Sequence, residues 1–116
     1  MVHVSGPRDI PVCIIGDSFV AGFGDETGCG WTGHLVAEGA RVGLRLDATV
    51  AGIGGDTSEM ILARWGEVDR RLASWPGTAV IAEFGVNDVF VHEGALRVDE
   101  AGTVAALRGM IARAPE

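Results

Sequence analysis

Short apolar runs and longer helical stripes alternate along this chain three times. Val12-Cys13-Ile14-Ile15 is the first run, and an unbroken apolar stretch of that length predicts a strand over 11–15 buried on both faces. A loop to Gly30 follows, then a short helix from Thr32 to Glu38 with Gly39 as its stop. From Gly43 the period changes. Leu44, Leu46, Ala48 and Val50 alternate with Arg45, Asp47 and Thr49, the pattern of a half-exposed strand that glycines 52, 54 and 55 then break. Ile61, Trp65, Val68 and Leu72 recur at helical spacing and predict one helix, capped by Thr57 or Ser58 and running to Ala73. Trp75-Pro76-Gly77 ends it, and Thr78 to Phe84 reads as a third strand. A last helix from Asp99 to Arg113 should bury Val104, Leu107 and Ile111 on one face.

Strands that alternate with helices at this spacing predict parallel βαβ units, so the turns after the three strands emerge at one edge of the sheet. Those turns are Gly16-Asp17-Ser18, Gly54-Gly55-Asp56 and Gly85-Val86-Asn87-Asp88. Ligand crevices of open α/β sheets lie at that edge. Each turn also has a plain structural reading: Gly16 for a sharp bend, Asp17 tying the turn, Ser18 capping a helix. Their convergence favours chemistry, and the chemistry is acyl transfer. Ser18 supplies a hydroxyl nucleophile; the Gly55 N–H, the Asn87 side-chain amide and the Ser18 N–H supply donors for the charge that builds on an attacked carbonyl.

Composition narrows the field. The chain carries a net charge of −7, and all nine of its basic residues are arginines. An acidic chain without a basic cluster is a poor partner for nucleic acid or an anionic membrane, and the absence of lysine removes a P-loop or Schiff-base lysine. No apolar run approaches the roughly 20 residues of a membrane span. The first nine residues lack a secretory apolar region, which reads as cytoplasmic. Cys13 and Cys29 have no disulfide or metal-ligand spacing, so Cys13 is read as packing, and no cofactor or metal is expected. Asp17, Asp56 and Asp88 end three adjacent strands and pose a metal-dependent hydrolase as an alternative, set against the turn or cap role each can play.

The three glycine-rich turns, with Phe19-Val20-Ala21-Gly22 after the first and Thr57-Ser58 after the second, resemble the first three sequence blocks of the SGNH/GDSL hydrolases. Order and spacing match, and the resemblance covers residues 11–113. It implies a flavodoxin-like three-layer α/β/α fold with a parallel sheet, a single domain over 1–116, and ester hydrolysis of a small-molecule substrate. It also implies Ser18 as nucleophile, with Gly55 and Asn87 completing the oxyanion hole and Asp17 and Asp88 in support. Trp31 looks family-like too, though it reads first as a core tryptophan.

Two departures stand out. Val50-Ala51-Gly52 occupies the region where the family often carries an asparagine. The family's base comes from a late Asp-x-x-His block after two further strands, and no such tetrapeptide occurs here; Glu116 comes 29 residues after Asn87. The resemblance therefore implies that the last strands and helices, and the base with them, belong to a longer polypeptide. Within the sequence, His3 precedes the first strand and His34 reads as surface or packing. His92 follows Asp88 near the expected crevice rim and stands as a substitute base or as a plain loop histidine. Strand 78–84 would then present an open edge, a place for self-association or for pairing with a partner. The missing base also leaves a second reading open: a non-catalytic ligand-binding or assembly module on a degenerate hydrolase fold.

Overall fold

The computed structural model describes residues 8–114; His3 lies outside them. In chain order the elements are β1 (Arg8–Gly16), α1 (Ser18–Ala21), α2 (Gly30–Arg41), β2 (Leu44–Gly52), α3 (Ser58–Ala63), α4 (Gly66–Ser74), β3 (Ala79–Glu83), β4 (Val91–His92), β5 (Ala95–Leu96) and α5 (Glu100–Ala112). β1, β2 and β3 form a parallel sheet in the order β2-β1-β3, while β4 and β5 form a separate antiparallel hairpin. The architecture is α/β with the central strand first in sequence. No helix among the described residues is long and apolar enough to cross a membrane.

β1 is apolar on both faces because both faces are covered. Cys13 and Ile15 pack with Ile61, Trp65, Val68 and Met110, and Val12 and Ile14 pack with Val20 on the other side. β2 has the expected alternation through Thr49, with Leu44, Leu46 and Ala48 half-buried and Arg45, Asp47 and Thr49 exposed, but Val50, expected to face inward, is exposed. β3 lies at the sheet edge, hydrogen-bonded to β1 alone among the described residues, and Val80, Ile81 and Phe84 are half-buried there.

Four further expectations change. The helix over 58–73 is two helices, broken at Arg64 and Trp65, where backbone bonds tighten to Arg64 N–H···Ile61 O and Trp65 N–H···Leu62 O at 3.2 and 3.0 Å. Its apolar stripe survives the break, since Ile61, Trp65 and Val68 are all buried. α2 runs through Gly39, which does not stop the helix; a Cβ there would lie 3.0 Å from the Leu44 carbonyl, so this glycine lets α2 lie against β2. α5 turns a different face inward: Ala106 and Met110 are buried while Val104, Leu107 and Ile111 are exposed. Small residues win that contest, because Gly109 lies against Leu62 of α3 where a side chain would collide. Trp31 is not core either; it is 37% exposed.

Candidate functional site

The three glycine-rich turns meet at the C-terminal ends of the parallel strands. The first is set by Asp17, which is fully buried and is the N-cap of α1, its Oδ1 accepting from the Phe19 N–H at 2.9 Å. Ser18 is therefore the first residue of α1, half-exposed at the rim, and Phe23 N–H bonds back to its carbonyl at 2.9 Å. A first-turn N–H has no partner within its own helix, so the Ser18 N–H is free of the α1 ladder.

The second turn is closed by Asp56 N–H donating to Ile53 O at 3.2 Å, with Gly55 at its third position and φ of +83°. That backbone conformation favours glycine, and the turn's own bond leaves the Gly55 N–H uncommitted. The turn sits directly beside the serine: a Cβ built on Gly54 would stand 3.8 Å from Ser18 Cβ. Further back, a Cβ on Gly52 would run into Ala21 N and come within 2.8 Å of Asp17 O. A glycine at the end of β2 is thus what lets α1 cross over it.

The third turn delivers Asn87, which is buried and donates through Nδ2 to Asp56 O at 2.9 Å. A carboxamide nitrogen carries two N–H bonds, and this contact uses one. Asp88 fastens the turn from behind. Its Oδ1 accepts from Ser58 N–H at 2.7 Å and its Oδ2 from the Thr103 hydroxyl at 2.7 Å. Burial alone would raise the Asp88 carboxyl, but the bonds from Ser58 and Thr103 outweigh it and hold the group below its ordinary value.

Arg64 is a hub that sequence reasoning missed. Only 16% of its side chain is exposed, and it donates through Nη2 to Gly16 O (2.7 Å), through Nη1 to Ala51 O (3.2 Å) and through Nε to Asp56 Oδ2 (2.7 Å). One guanidinium thereby ties the ends of β1 and β2 to the second turn. Arg97, after the hairpin, donates to Gly55 O at 2.9 Å and steadies the same turn from outside. Glu83, last in β3, is a second residue that was missed. A lone carboxylate in an otherwise apolar strand was the signal for it.

Two histidines lie among the described residues. His92 is in β4 with its side chain 77% exposed, and its nearest acid is Glu93 at 3.9 Å. His34 Nε2 pairs with Asp25 at 2.8 Å. Asp25 also accepts from the Thr27 and Gly30 N–H groups, which orders the loop after α1 and, with the Thr27 hydroxyl, drops its carboxyl to about 2. Phe19, Phe23, Trp31 and His34 line a cleft of about 450 Å³ beside that loop. Of the three aspartates weighed as metal ligands, Asp17 caps α1, Asp56 is paired to Arg64 and Asp88 is bonded to Ser58 and Thr103. They form no metal-binding group among the described residues.

The model of the GDSL-like lipase/acylhydrolase family matches residues 14–116. Among solved structures, the chain is similar to AlinE4, an SGNH-hydrolase family esterase, with 28% identity over 95% of this chain and a TM-score of 0.69. An aspartate-to-alanine mutant of that esterase gives the same values, and a serine-to-alanine mutant gives 27% identity at the same TM-score. The chain spans about half the length of these structures, 54% in each. No match was found among curated proteins.

Proposed function

The chain belongs to the GDSL-like lipase/acylhydrolase family, and from that premise we propose that it acts as one α/β unit in hydrolysing a small-molecule ester with Ser18 as nucleophile. The Ser18 oxygen attacks the acyl carbon, and the carbonyl oxygen takes up the negative charge. The Gly55 N–H, the free N–H of Asn87 Nδ2 and the Ser18 N–H receive it. Collapse breaks the bond to the leaving alcohol, whose oxygen takes the proton that left Ser18 by way of a base. Water then releases the acid by the reverse route.

The observation that carries this reading is the junction of the three turns: Ser18 Cβ within 3.8 Å of a Cβ position on Gly54, and Asn87 bonded to Asp56 two positions further on. The base is left to an Asp-x-x-His block of the kind the family resemblance implies, with His92 as the internal alternative. The reading keeps the cytoplasmic setting drawn from the sequence.

Release of nitrophenol from p-nitrophenyl esters tests it, with the wild type and Ser18→Ala, each with and without a chelator. Loss in the alanine variant and indifference to chelator are expected; turnover that survives Ser18→Ala overturns the serine route. Saturable ester binding with no acylation of Ser18 would support the ligand-binding module instead, a reading favoured by the exposed His92, whose nearest acid is Glu93.

A further inference from the structure

Glu83 stands behind the turn that carries Ser18. It is the register partner of Gly16 at the end of β3, and the missing side chain at Gly16 gives its carboxyl room: a Cβ there would lie 3.3 Å from Glu83 Oε1. Asp17, next to Gly16 in the chain, is the neighbouring carboxyl that acts on it. Asp17 Oδ1 is committed to the Phe19 N–H, whereas Asp17 Oδ2 and Glu83 Oε1 are both buried and both without a hydrogen-bond partner. Two buried acceptors side by side carry a desolvation penalty and, if both ionised, mutual repulsion. One proton between them relieves both. Burial, and then the neighbouring Asp17 carboxyl, push Glu83 up to about 7.

We propose that Glu83 is a positioning residue for Ser18: its protonated carboxyl donates to Asp17 Oδ2 and so holds the Asp17 cap that fixes the start of α1. This rests on the reading of Ser18 as nucleophile. Among the described residues, Gly16 on β1 and Val20 on α1 adjoin Glu83 at this point and carry no titratable side chain, and Gly52 on β2 lies against the Asp17 backbone. The cation at this junction, Arg64, bonds to the Gly16 carbonyl and is paired with Asp56.

As pH rises through 7 the proton leaves, the two carboxylates repel, and the cap loosens. Glutamine at 83 is a neutral donor at every pH, so Glu83→Gln restores the bond without the titration. The ratio of Glu83→Gln to wild-type ester turnover should stand near one at pH 6 and climb about tenfold by pH 8, since one unit above its pKa an acid is about one-tenth protonated. Glu83→Ala, which leaves Asp17 Oδ2 without a donor, should fall on the order of tenfold below wild type at pH 6. Carbon NMR of the side-chain carboxyls reads the pair without any turnover: Glu83 should titrate near 7 in the wild type and in Ser18→Ala, and return towards its ordinary range in Asp17→Asn. A flat Glu83→Gln ratio across pH, or a Glu83 carboxyl that titrates in the ordinary range, overturns the proposal. Turnover that survives Ser18→Ala instead marks failure of the nucleophile reading, with the carboxyl titration still reporting on the pair.

Discussion

Asn87 reaches across 31 positions of sequence to donate its side-chain amide to the Asp56 carbonyl at 2.9 Å. This bond fixes the rotation of the carboxamide, so the second N–H of Nδ2 is aimed by the first. Aspartate at 87 would remove the donor and place a carbonyl acceptor against a carboxylate. Asn87→Asp and Asn87→Ala should each lower kcat for ester hydrolysis by about 10²–10³, the usual loss for one oxyanion donor. Steady-state kinetics would show the loss in kcat more than in KM. A pure KM effect would place Asn87 in substrate binding instead.

One buried and one half-buried carboxyl, Asp88 and Glu83, give the stability of the fold opposite pH dependences. Asp88 is held below its ordinary value, so its contribution is present above the unfolded value of 3.8 and is lost as pH falls through the folded one. Glu83 is raised from 4.5 to about 7, so its contribution is full below 4.5 and declines as pH rises to 7. Thermal melts across pH should therefore peak between about 4 and 5. Asp88→Asn should flatten the acid limb, and Glu83→Gln should flatten the decline towards pH 7. Removing Asp88 altogether strands the Ser58 N–H and the Thr103 hydroxyl, and Asp88→Ala should cost about 3 kcal/mol in urea unfolding.

The sequence was most legible where one residue type has one physical use. Continuous apolar runs identified β1 and β3, and alternation identified β2, because burial on two faces and on one face leave different periods. The stripe Ile61-Trp65-Val68 named buried positions correctly even though α3 and α4 are separate helices; packing on β1 needs only the positions. The break itself was not legible. It arises at Arg64, whose guanidinium serves three acceptors on other segments, and no local pattern records such distant demands. The face of α5 was misread for a related reason: Ala106, Gly109 and Met110 allow close approach to α3, and periodicity of large side chains is blind to that. The β4–β5 hairpin was missed because its strands have two residues each and its turn is Glu93-Gly94, with Glu93 at a φ of +52° where asparagine is the usual signal. Of the site, the turns and their meeting were readable, and Glu83 left a signal as the lone carboxylate of an apolar strand, whereas Arg97 shows itself only through its bond to Gly55 O.

Glycines at the site differ in why they are required, and substitutions should separate the reasons. Gly16→Ala puts a methyl group 2.5 Å from both Glu83 O and Val20 Cγ2; overpacking against backbone should cost about 3 kcal/mol. Gly55 has open space around a Cβ but a φ of +83°, so Gly55→Ala should cost only about 1–2 kcal/mol of backbone strain. Asparagine tolerates that conformation better, and Gly55→Asn should recover part of the loss. Equal costs for alanine and asparagine at 55 would mean that space rather than φ governs the position. Urea unfolding of the three variants distinguishes these outcomes.

Arg64 is bound to three acceptors on two strands and a turn, and to Glu67 Oε2 on α4 at 3.2 Å, and this makes its replacement by lysine non-conservative. A lysine keeps the charge but offers a single point of donation, with no planar fork to span Gly16 O, Ala51 O and Asp56 Oδ2. Arg64→Lys and Arg64→Ala should both destabilise the chain, by about 2–3 kcal/mol for alanine, since two part-buried carbonyls and a carboxylate lose their donor. Asp56→Ala alone removes one of the three partners and should cost less. In the double variant the two losses should fall short of additive by about 1 kcal/mol. Strict additivity would mean that Arg64 acts through the Gly16 and Ala51 carbonyls and Glu67. The pairing with Asp56 would then be incidental to how the second turn is held against Ser18.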